Sequence, residues 1–253
     1  LMSAGIASDK ISVLALGENY GVAAAQNRGI AVAKRKGATH VLLLDHDSIP
    51  APDMVEKLFE AVENLTGRGL KVAAVGPRYR FPDTDHYSYF VRFGKLRFKK
   101  IYCSGEDGRE YIPVDFLISS GCLIPCDALN AVGQMDESLF IDHVDTDWFL
   151  RARYDGYAAF GVCSATMDHQ LGDGLFHLGF GTKKKLPIHS PLRLYYIFRN
   201  SILLYRRAYA PDDWKVNDLV RLCLMFAFFS LCIHPRKEYI KMMARGIRDG
   251  IKC

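Results

Sequence analysis

The sequence predicts an α/β fold in which a mainly parallel sheet is flanked by helices. Short apolar runs of strand length alternate, in the first half of the chain, with longer segments whose apolar residues recur at helical spacing. Strands that alternate with helices are typical of such sheets. The clearest pair is the apolar run Val41–Leu44 and the segment after it, in which one helical face carries Val55, Leu58, Phe59, Val62 and Leu65.

Local signals give the order of the elements. Glycines at the ends of apolar periodic segments mark helix termini, and Gly-Pro pairs mark strand ends. In chain order we expect a strand at 10–16 (KISVLAL), a helix from Val22 to Lys36 that stops at Gly37, a strand at Val41–Leu44, a helix opened by SIPAPD, a strand within 71–79 (KVAAVGPRY), a hairpin arm at 95–102, a β segment at 114–125 and a short helix at 126–136.

Composition limits the class of protein. The 253 residues suffice for one domain, or for a domain with an appendage. The net charge of +5 comes from basic and acidic residues that are interspersed, which argues against an extended nucleic-acid surface. The seven cysteines are scattered without a CxxC pair, so we expect them to be reduced, in a cytosol. The start of the chain has no signal-peptide pattern, and Leu1 before Met2 suggests that a natural N-terminus has been cut away.

Asp45 and Asp47 are the first candidate functional residues. They follow the strand at Val41–Leu44 directly, and ligands of open α/β sheets bind at the carboxyl ends of strands. Two carboxylates on one turn can hold a divalent metal against a diphosphate. The alternative is a turn or helix-cap role. The same spacing at Asp83 and Asp85 lies in a Pro-bounded polar stretch, which predicts solvated turn residues there.

A second acidic cluster, FIDHVDTDWFLRARY, predicts a helix that separates its carboxylates. Residues two apart on a helix point in different directions, so Asp145 and Asp147 are not expected to share one site. Asp147 can pair with Arg151 one turn later and is interpreted as structural. Asp145 lies at the helix start, where it either points into a cleft or complements the helix dipole.

The C-terminal third differs in character. Its apolar run Leu222–Ile233 is twelve residues long, whereas a membrane span takes about 20. Basic residues flank this run, and the final segment interleaves Met and Ile with Lys and Arg. The pattern fits a helix on a membrane surface, with a docked helical hairpin and a dimer interface as the alternatives. We therefore divide the chain at residue 190, into 1–190 and a helical region 191–253.

Four blocks in order resemble a known enzyme family. They are ENYGVAAAQNRGI, VLLLDHDSIP, SSGCLIPCDALNAVGQMDESLFIDHVDTDWFLRA and RLYYIFRNSILLYRR. Together they make the chain, from residue 14 to 250, similar to the inverting GT-A glycosyltransferases of family 2, and within them to bacterial rhamnosyltransferases of O-antigen and cell-surface polysaccharide synthesis. In this family an acidic residue often precedes the catalytic aspartate. The chain departs from that pattern, because Val144 occupies the position.

The resemblance implies a set of roles. The donor would be a nucleotide sugar, by subfamily dTDP-L-rhamnose, with Mg²⁺ or Mn²⁺ held by Asp45, Asp47 and a downstream histidine. His169 stands at that place, with His177 as the competitor. Asp145 would be the base that accepts the proton of an acceptor hydroxyl in a single inverting displacement. The residues assigned to substrate binding are Asn27, Arg28, Asp142, Arg199 and Asn200.

The resemblance also bears on partners and on the chain's extent. It implies a lipid-linked or polysaccharide acceptor, membrane contact, and a location at the cytoplasmic face of the bacterial plasma membrane. It implies a nucleotide-binding strand before Leu1, so the sheet is expected to be incomplete at that end. Two other classes stay open. A haloacid-dehalogenase-like phosphohydrolase would use Asp45 as nucleophile, and a sugar-nucleotide binding module would bind without turnover.

Overall fold

The computed structural model describes residues 11–80, 87–95, 97–103, 109–169, 174–177 and 185–253. The helices of this part are α1 (Gly21–Arg35), α2 (Met54–Gly67), α3 (Cys126–Val132), α4 (Val144–Tyr154), α5 (Pro191–Tyr205), α6 (Asp212–Leu231) and α7 (Arg236–Lys252), with a 3-10 turn at Glu137–Leu139. The strands are β1 (His40–Leu43), β2 (Ile49–Pro50), β3 (Val72–Arg80), β4 (Phe90–Arg92), β5 (Lys99–Ile101), β6 (Tyr111–Val114), β7 (Cys122–Pro125), β8 (Ala158–Asp168), β9 (Gly174–His177) and β10 (Lys185–Ile188).

The main sheet is mixed rather than mainly parallel. Its strand order is β1-β7-β3-β8-β2, with β6 also paired to β8. Among the described strands β3 and β8 form the parallel pair, while β7 runs antiparallel to both β1 and β3. The α/β class is confirmed, and the expectation of a mainly parallel sheet is corrected, because β7 and β6 enter the sheet in the reverse direction.

Helices cover both faces of this sheet. Successive residues of a strand point to opposite faces. Thus Val75 packs with Leu58 of α2 in one apolar cluster, and Ala74 packs with Trp148 of α4 in the other. Helices α1 and α3 contribute to the same cluster as α4. Both faces are therefore shielded from solvent, and the strand ends are left to carry the site.

Two expectations about the first half of the chain are wrong. Residues 11–16 form no strand, and Val13 is 90% exposed, because a strand needs a neighbour to satisfy its backbone groups and apolar alternation does not supply one. The cysteines are not all reduced, since Cys103 and Cys163 form a disulfide that ties the segment after β5 to β8. The hairpin arm predicted at 95–102 is confirmed in part, since β5 lies within that range but pairs antiparallel with β4, which ends at Arg92 before it. Asp83 and Asp85 lie outside the described residues.

The C-terminal helices pack together around a third apolar cluster. Phe198 of α5, Leu222 and Phe229 of α6 and Met243 of α7 are buried in it. Helices α7 and α5 cross closely at Gly250, where an added Cβ would lie only 2.7 Å from the Arg199 carbonyl oxygen. One face of the apolar run is therefore docked as a hairpin of helices. Among the described residues, no helix is both long enough and apolar enough to cross a membrane.

Candidate functional site

Two aspartates and a histidine meet where β1 and β8 end. Asp45 and Asp47 follow β1, and His169 follows the last residue of β8. The ligand atoms of these three residues all lie within 4.8 Å of one another. Both carboxylates are exposed, and the imidazole is 6% exposed. Carboxylate oxygens with one imidazole suit a hard divalent cation and leave coordination positions for a substrate, so the residues fit the metal that the sequence implied. The side chain of His177, the competing ligand, lies outside what the structure describes.

Two serine hydroxyls fix the histidine. Ser48 Oγ lies 2.8 Å from His169 Nδ1 and 2.7 Å from Ser120 Oγ. Ser120 Oγ also accepts a hydrogen bond of 3.1 Å from the backbone N–H of Asp45. A ring nitrogen that donates to such a partner leaves the other nitrogen, here Nε2, as the metal ligand. The serines thus connect two of the three candidate ligands.

These residues form one side of an open cavity of about 440 Å³. Asp145 and Asp142 lie on its wall, together with Arg193 from the first turn of α5. The cavity therefore joins the ends of β1 and β8 to the start of α4 and to the C-terminal helices. Its lining residues are Val22, Asp45, His46, Asp47, Ile118, Ser119, Ser120, Ile141, Asp142, His143, Val144, Asp145, His169 and Arg193.

Asp145 has the properties of a base at neutral pH. Burial raises the pKa of its carboxyl group from 3.8 to about 6, and the nearby Asp142 carboxylate adds to the rise. Its Oδ1 accepts a hydrogen bond of 2.7 Å from the backbone N–H of Thr146, which favours the ionised form in part. A carboxylate of raised pKa in a cavity can take a proton from a hydroxyl near pH 7.

The loop that carries Asp145 has a strained backbone. Phe140, Asp142 and His143 have φ angles of 64°, 61° and 61°, which are uncommon for residues with a Cβ. Each such residue costs on the order of 1 kcal/mol or more unless its surroundings fix it. Strain of this kind is often found at functional sites.

Asn200 of α5 fixes this loop. Its Nδ2 lies 2.9 Å, 2.8 Å and 2.9 Å from the carbonyl oxygens of Leu139, Ile141 and Asp142. The neighbouring Arg199 donates to the carbonyl oxygens of Ser138 and Leu139. Neither side chain is among the residues that line the cavity, and the contacts shown support the loop, so the substrate-binding assignment of this pair stays a prediction.

Asn27 and Arg28 also lie away from the cavity lining. The Asn27 side chain exchanges hydrogen bonds of 2.9 Å with the backbone of Met135, and it donates to Glu137. Arg28 stacks on the Tyr20 ring at 4.3 Å. Asn27 thus ties α1 to the segment before the 3-10 turn, and its assignment to substrate binding stays a prediction. Of the residues assigned to substrate binding, Asp142 lines the cavity.

The structure adds contributors that the sequence analysis did not single out. Arg193 Nε lies 3.1 Å from Asp142 Oδ1 and brings a cation to the wall of the cavity. Ser48 and Ser120 are buried polar residues beside the metal ligands. Ser48 directly follows Asp47 and could have been found from sequence as a hydroxyl at the strand end. Ser120 lies 72 residues further along, and only the pairing of β1 with β7 brings it there.

Comparisons with known proteins point to one family. The family model described as glycosyl transferase family 2 matches residues 3–133. The chain is 31% identical over 246 residues to the dTDP-rhamnosyl transferase RfbF of Shigella flexneri, an alignment that covers 96% of the chain and 79% of that protein. A crystal structure of GalNAc-T7 with UDP, GalNAc and Mn²⁺ aligns with a TM-score of 0.49 and 12% identity, over 92% of this chain, which spans 43% of the length of GalNAc-T7.

The family match covers the cavity residues up to Ser120, and the alignment with RfbF covers 96% of the chain. Membership of a glycosyltransferase family removes the phosphohydrolase alternative. This chain belongs to glycosyl transferase family 2 and is a glycosyltransferase.

Proposed function

We propose that this enzyme transfers L-rhamnose from dTDP-L-rhamnose to a hydroxyl of a lipid-linked glycan. The observation that carries the proposal is a single cavity in which Asp45, Asp47 and His169 converge and Asp145 lies on the wall. The similarity to RfbF, a dTDP-rhamnosyl transferase, supports the choice of donor. Asp45, Asp47 and His169 would hold Mg²⁺ or Mn²⁺. The chemistry supplied by a cation held there is neutralisation of the charge on the leaving diphosphate.

The roles of the chain's own residues follow from charge. The acceptor oxygen attacks the anomeric carbon, the bond from that carbon to the diphosphate oxygen breaks, and the hydroxyl proton passes to Asp145. A single displacement inverts the anomeric centre and requires no nucleophile on the protein. Arg193 and Asp142 line the same cavity and are proposed to bind the substrate there.

A calorimetric titration of dTDP-L-rhamnose tests the donor. We expect binding to the wild type in the presence of Mn²⁺ and loss of that binding in Asp45→Ala. Asp53→Asn is the matched control, since Asp53 directly precedes α2, pairs with Lys57 and is not among the residues that line the cavity. Binding that needs no metal, or that survives in Asp45→Ala, would contradict the assignment. UDP-GlcNAc, titrated in parallel, tests the choice of nucleotide sugar.

We propose that the outer face of α6 rests on an anionic bilayer. Apolar residues with exposed side chains recur along it at helical spacing: Val216, Leu219, Val220, Cys223, Leu224, Ala227 and Leu231. Helix α7 follows directly and carries six basic residues against two acidic ones. Exposed apolar residues flanked by cations suit the surface of an anionic membrane. A lipid-linked acceptor would be presented at that surface, and the location we propose is its cytoplasmic side.

Vesicle flotation tests this contact. We expect the enzyme to float with vesicles of phosphatidylcholine and phosphatidylglycerol, and less with phosphatidylcholine alone. A double variant, Leu219→Ser and Leu224→Ser, should lose the interaction, whereas Leu70→Ser, at a comparably exposed leucine outside the helices, should keep it. Self-association of the wild type without lipid, abolished by the same double variant, would instead identify the face as a dimer interface.

A further inference from the structure

A partly buried polar cluster connects the start of α4 to helices α5 and α6. His143 Nε2 lies 3.0 Å from Ser201 Oγ and 3.1 Å from Arg221 Nη2. Arg221 in turn forms an ion pair of 2.6 Å with Asp218, whose side chain is 1% exposed. Tyr205 donates a hydrogen bond of 2.8 Å to the other oxygen of Asp218. We refer to His143, Ser201, Asp218 and Arg221 as the loop anchor.

The chemistry of the loop anchor fixes the state of the histidine. A guanidinium group can only donate, so Nε2 of His143 accepts in its contact with Arg221 Nη2, and Ser201, which also bonds Asp218, contacts the same nitrogen. Burial lowers the pKa of His143 to about 4, with Arg221 contributing to the fall, so the ring is neutral across the physiological range. The ring also meets Trp214 edge-on at 5.9 Å between centroids. His143 therefore has one orientation, set by directional contacts from two helices.

Packing alone does not require such a cluster. A buried ion pair is weak evidence for stability, since apolar residues of similar volume often serve as well. What directional polar contacts provide is a defined position for the group that they hold. Here that group is His143, which has a positive φ and stands two residues before Asp145.

We propose that the loop anchor positions the catalytic base: His143, Ser201, Asp218 and Arg221 hold the strained loop in the conformation that presents Asp145 to the cavity. This inference rests on the proposed role of Asp145. It makes α5 and α6 part of the catalytic machinery rather than an appendage. Helix α6 then has two functions on two faces, with Asp218 and Arg221 directed inward and Leu219 and Leu224 directed outward.

The pH dependence of turnover distinguishes positioning from simple stabilisation. The pKa of Asp145 is raised mainly by burial, so a loop that moves toward water should return it toward 3.8. The acid limb of the rate would then shift to lower pH. A variant that only unfolds more readily would lose active molecules without moving that limb. The charged and titratable groups near Asp145 are Asp142 and His143 of its own loop, Cys122 of β7, Arg193 of α5, and Asp45, Asp47 and His169 at the other side of the cavity.

The test compares Arg221→Met with Arg221→Lys, and His143→Leu with His143→Gln. The rate of dTDP release from dTDP-L-rhamnose, with water as acceptor, is measured from pH 5 to 8 with Mn²⁺ present. We expect kcat to fall at least tenfold in the Met and Leu variants, with the calorimetric Kd for the donor within twofold of wild type. Arg221→Lys and His143→Gln should have a higher kcat than Arg221→Met and His143→Leu, respectively. Lys215→Ala is the matched control, because Lys215 pairs at the same spacing on the same helix with Asp212, whose side chain is fully exposed.

Hydrogen exchange of residues 139–147 gives a readout that does not depend on the donor. We expect faster exchange there in Arg221→Met, or in Ser201→Ala if the Met variant does not fold, and wild-type exchange in Lys215→Ala. Unchanged exchange, or an unchanged kcat and acid limb in a folded variant, overturns the inference. If the wild type releases no dTDP while exchange still responds as expected, the donor assignment fails and the loop anchor stands.

Discussion

Asp145 and Asp147 stand two residues apart on α4 and have opposite environments. Asp147 is fully buried, where its Oδ2 lies 2.9 Å from Arg151 Nε and its Oδ1 accepts a hydrogen bond from Tyr209. Asp145 lines the cavity, and its carboxylate accepts hydrogen bonds from backbone N–H groups, including that of Thr146. The helix thus uses one carboxylate to bind other parts of the fold, and its other carboxylate lines the cavity.

The same substitution should therefore have opposite effects at the two positions. Asp147→Asn leaves the Arg151 guanidinium without its counterion, which should lower the free energy of unfolding by about 3 kcal/mol, or Tm by roughly 6–12 °C. Asp145→Asn should abolish transfer and leave donor binding nearly intact, with a loss of about 10²-fold or more in kcat. Calorimetric unfolding and donor titration of both variants check these outcomes.

The free energy of unfolding at pH 8 should be higher in Asp145→Asn than in the wild type. The folded pKa of about 6 lies above the unfolded value of 3.8, so the ionised carboxylate opposes folding at pH 8, above both values. Its replacement by a neutral amide should stabilise the protein by up to about 3 kcal/mol at that pH, and by little below pH 4. A Tm for Asp145→Asn below that of the wild type at pH 8 would contradict the assigned environment.

The rate of transfer should depend on the protonation of Asp145. Because the base must be ionised, kcat/KM should fall about tenfold per pH unit below pH 6. The Asp142 carboxylate contributes to the raised pKa of Asp145, so Asp142→Asn should move this acid limb to lower pH. The shift should be small, because burial contributes more to the raised pKa than Asp142 does. The titration of His143 should not affect the pH-rate profile in this range, since burial keeps its pKa near 4. A pH-rate profile of the two proteins measures the shift, and an identical limb would exclude Asp142 as a cause.

Local sequence signals were sufficient to predict the structural features that a short segment determines. The helix at Gly21–Arg35, the strand before Asp45 and the pairing of Asp147 with Arg151 all follow from residues within one or two turns. Asp45 and Asp47 were distinguished from other DxD pairs because a buried strand leads into them. The third member of the candidate metal site, His169, is distant in sequence, and it was predicted from the family resemblance.

The remaining features depend on which distant segments meet. Nothing around Asn27 or Asn200 in sequence indicates that each is occupied with backbone groups more than 50 residues away. The direction of β7, which makes the sheet mixed, is set by its pairing with β1 and β3. The disulfide was missed for the same reason, because 60 residues separate Cys103 from Cys163.

The disulfide predicts a specific thiol count. Denatured protein prepared without reductant should titrate five thiols, those of Cys122, Cys126, Cys223, Cys232 and Cys253, and seven after reduction. Opening a cross-link over 60 residues should lower the free energy of unfolding by about 4 kcal/mol in the chain-entropy account. The double variant Cys103→Ser and Cys163→Ser should match the reduced wild type in Tm. Seven thiols before reduction would show that the pair is open in solution.

Ser48 should control metal affinity without touching the metal. Its hydroxyl lies 2.8 Å from His169 Nδ1 and 2.7 Å from Ser120 Oγ, so it orients the imidazole and joins it to the segment that holds Asp45. Loss of a partner of this kind typically weakens metal binding 10- to 100-fold, and we expect that loss in Ser48→Ala. Calorimetric titration with Mn²⁺ measures it. Ser138→Ala is the control, because Ser138 bonds locally to Asp136 and lies outside the cavity lining. Equal Mn²⁺ affinity in wild type and Ser48→Ala would mean that His169 is not a ligand held through its Nδ1 partner, and Asp45→Ala, titrated in the same series, would show whether the two carboxylates bind the ion alone.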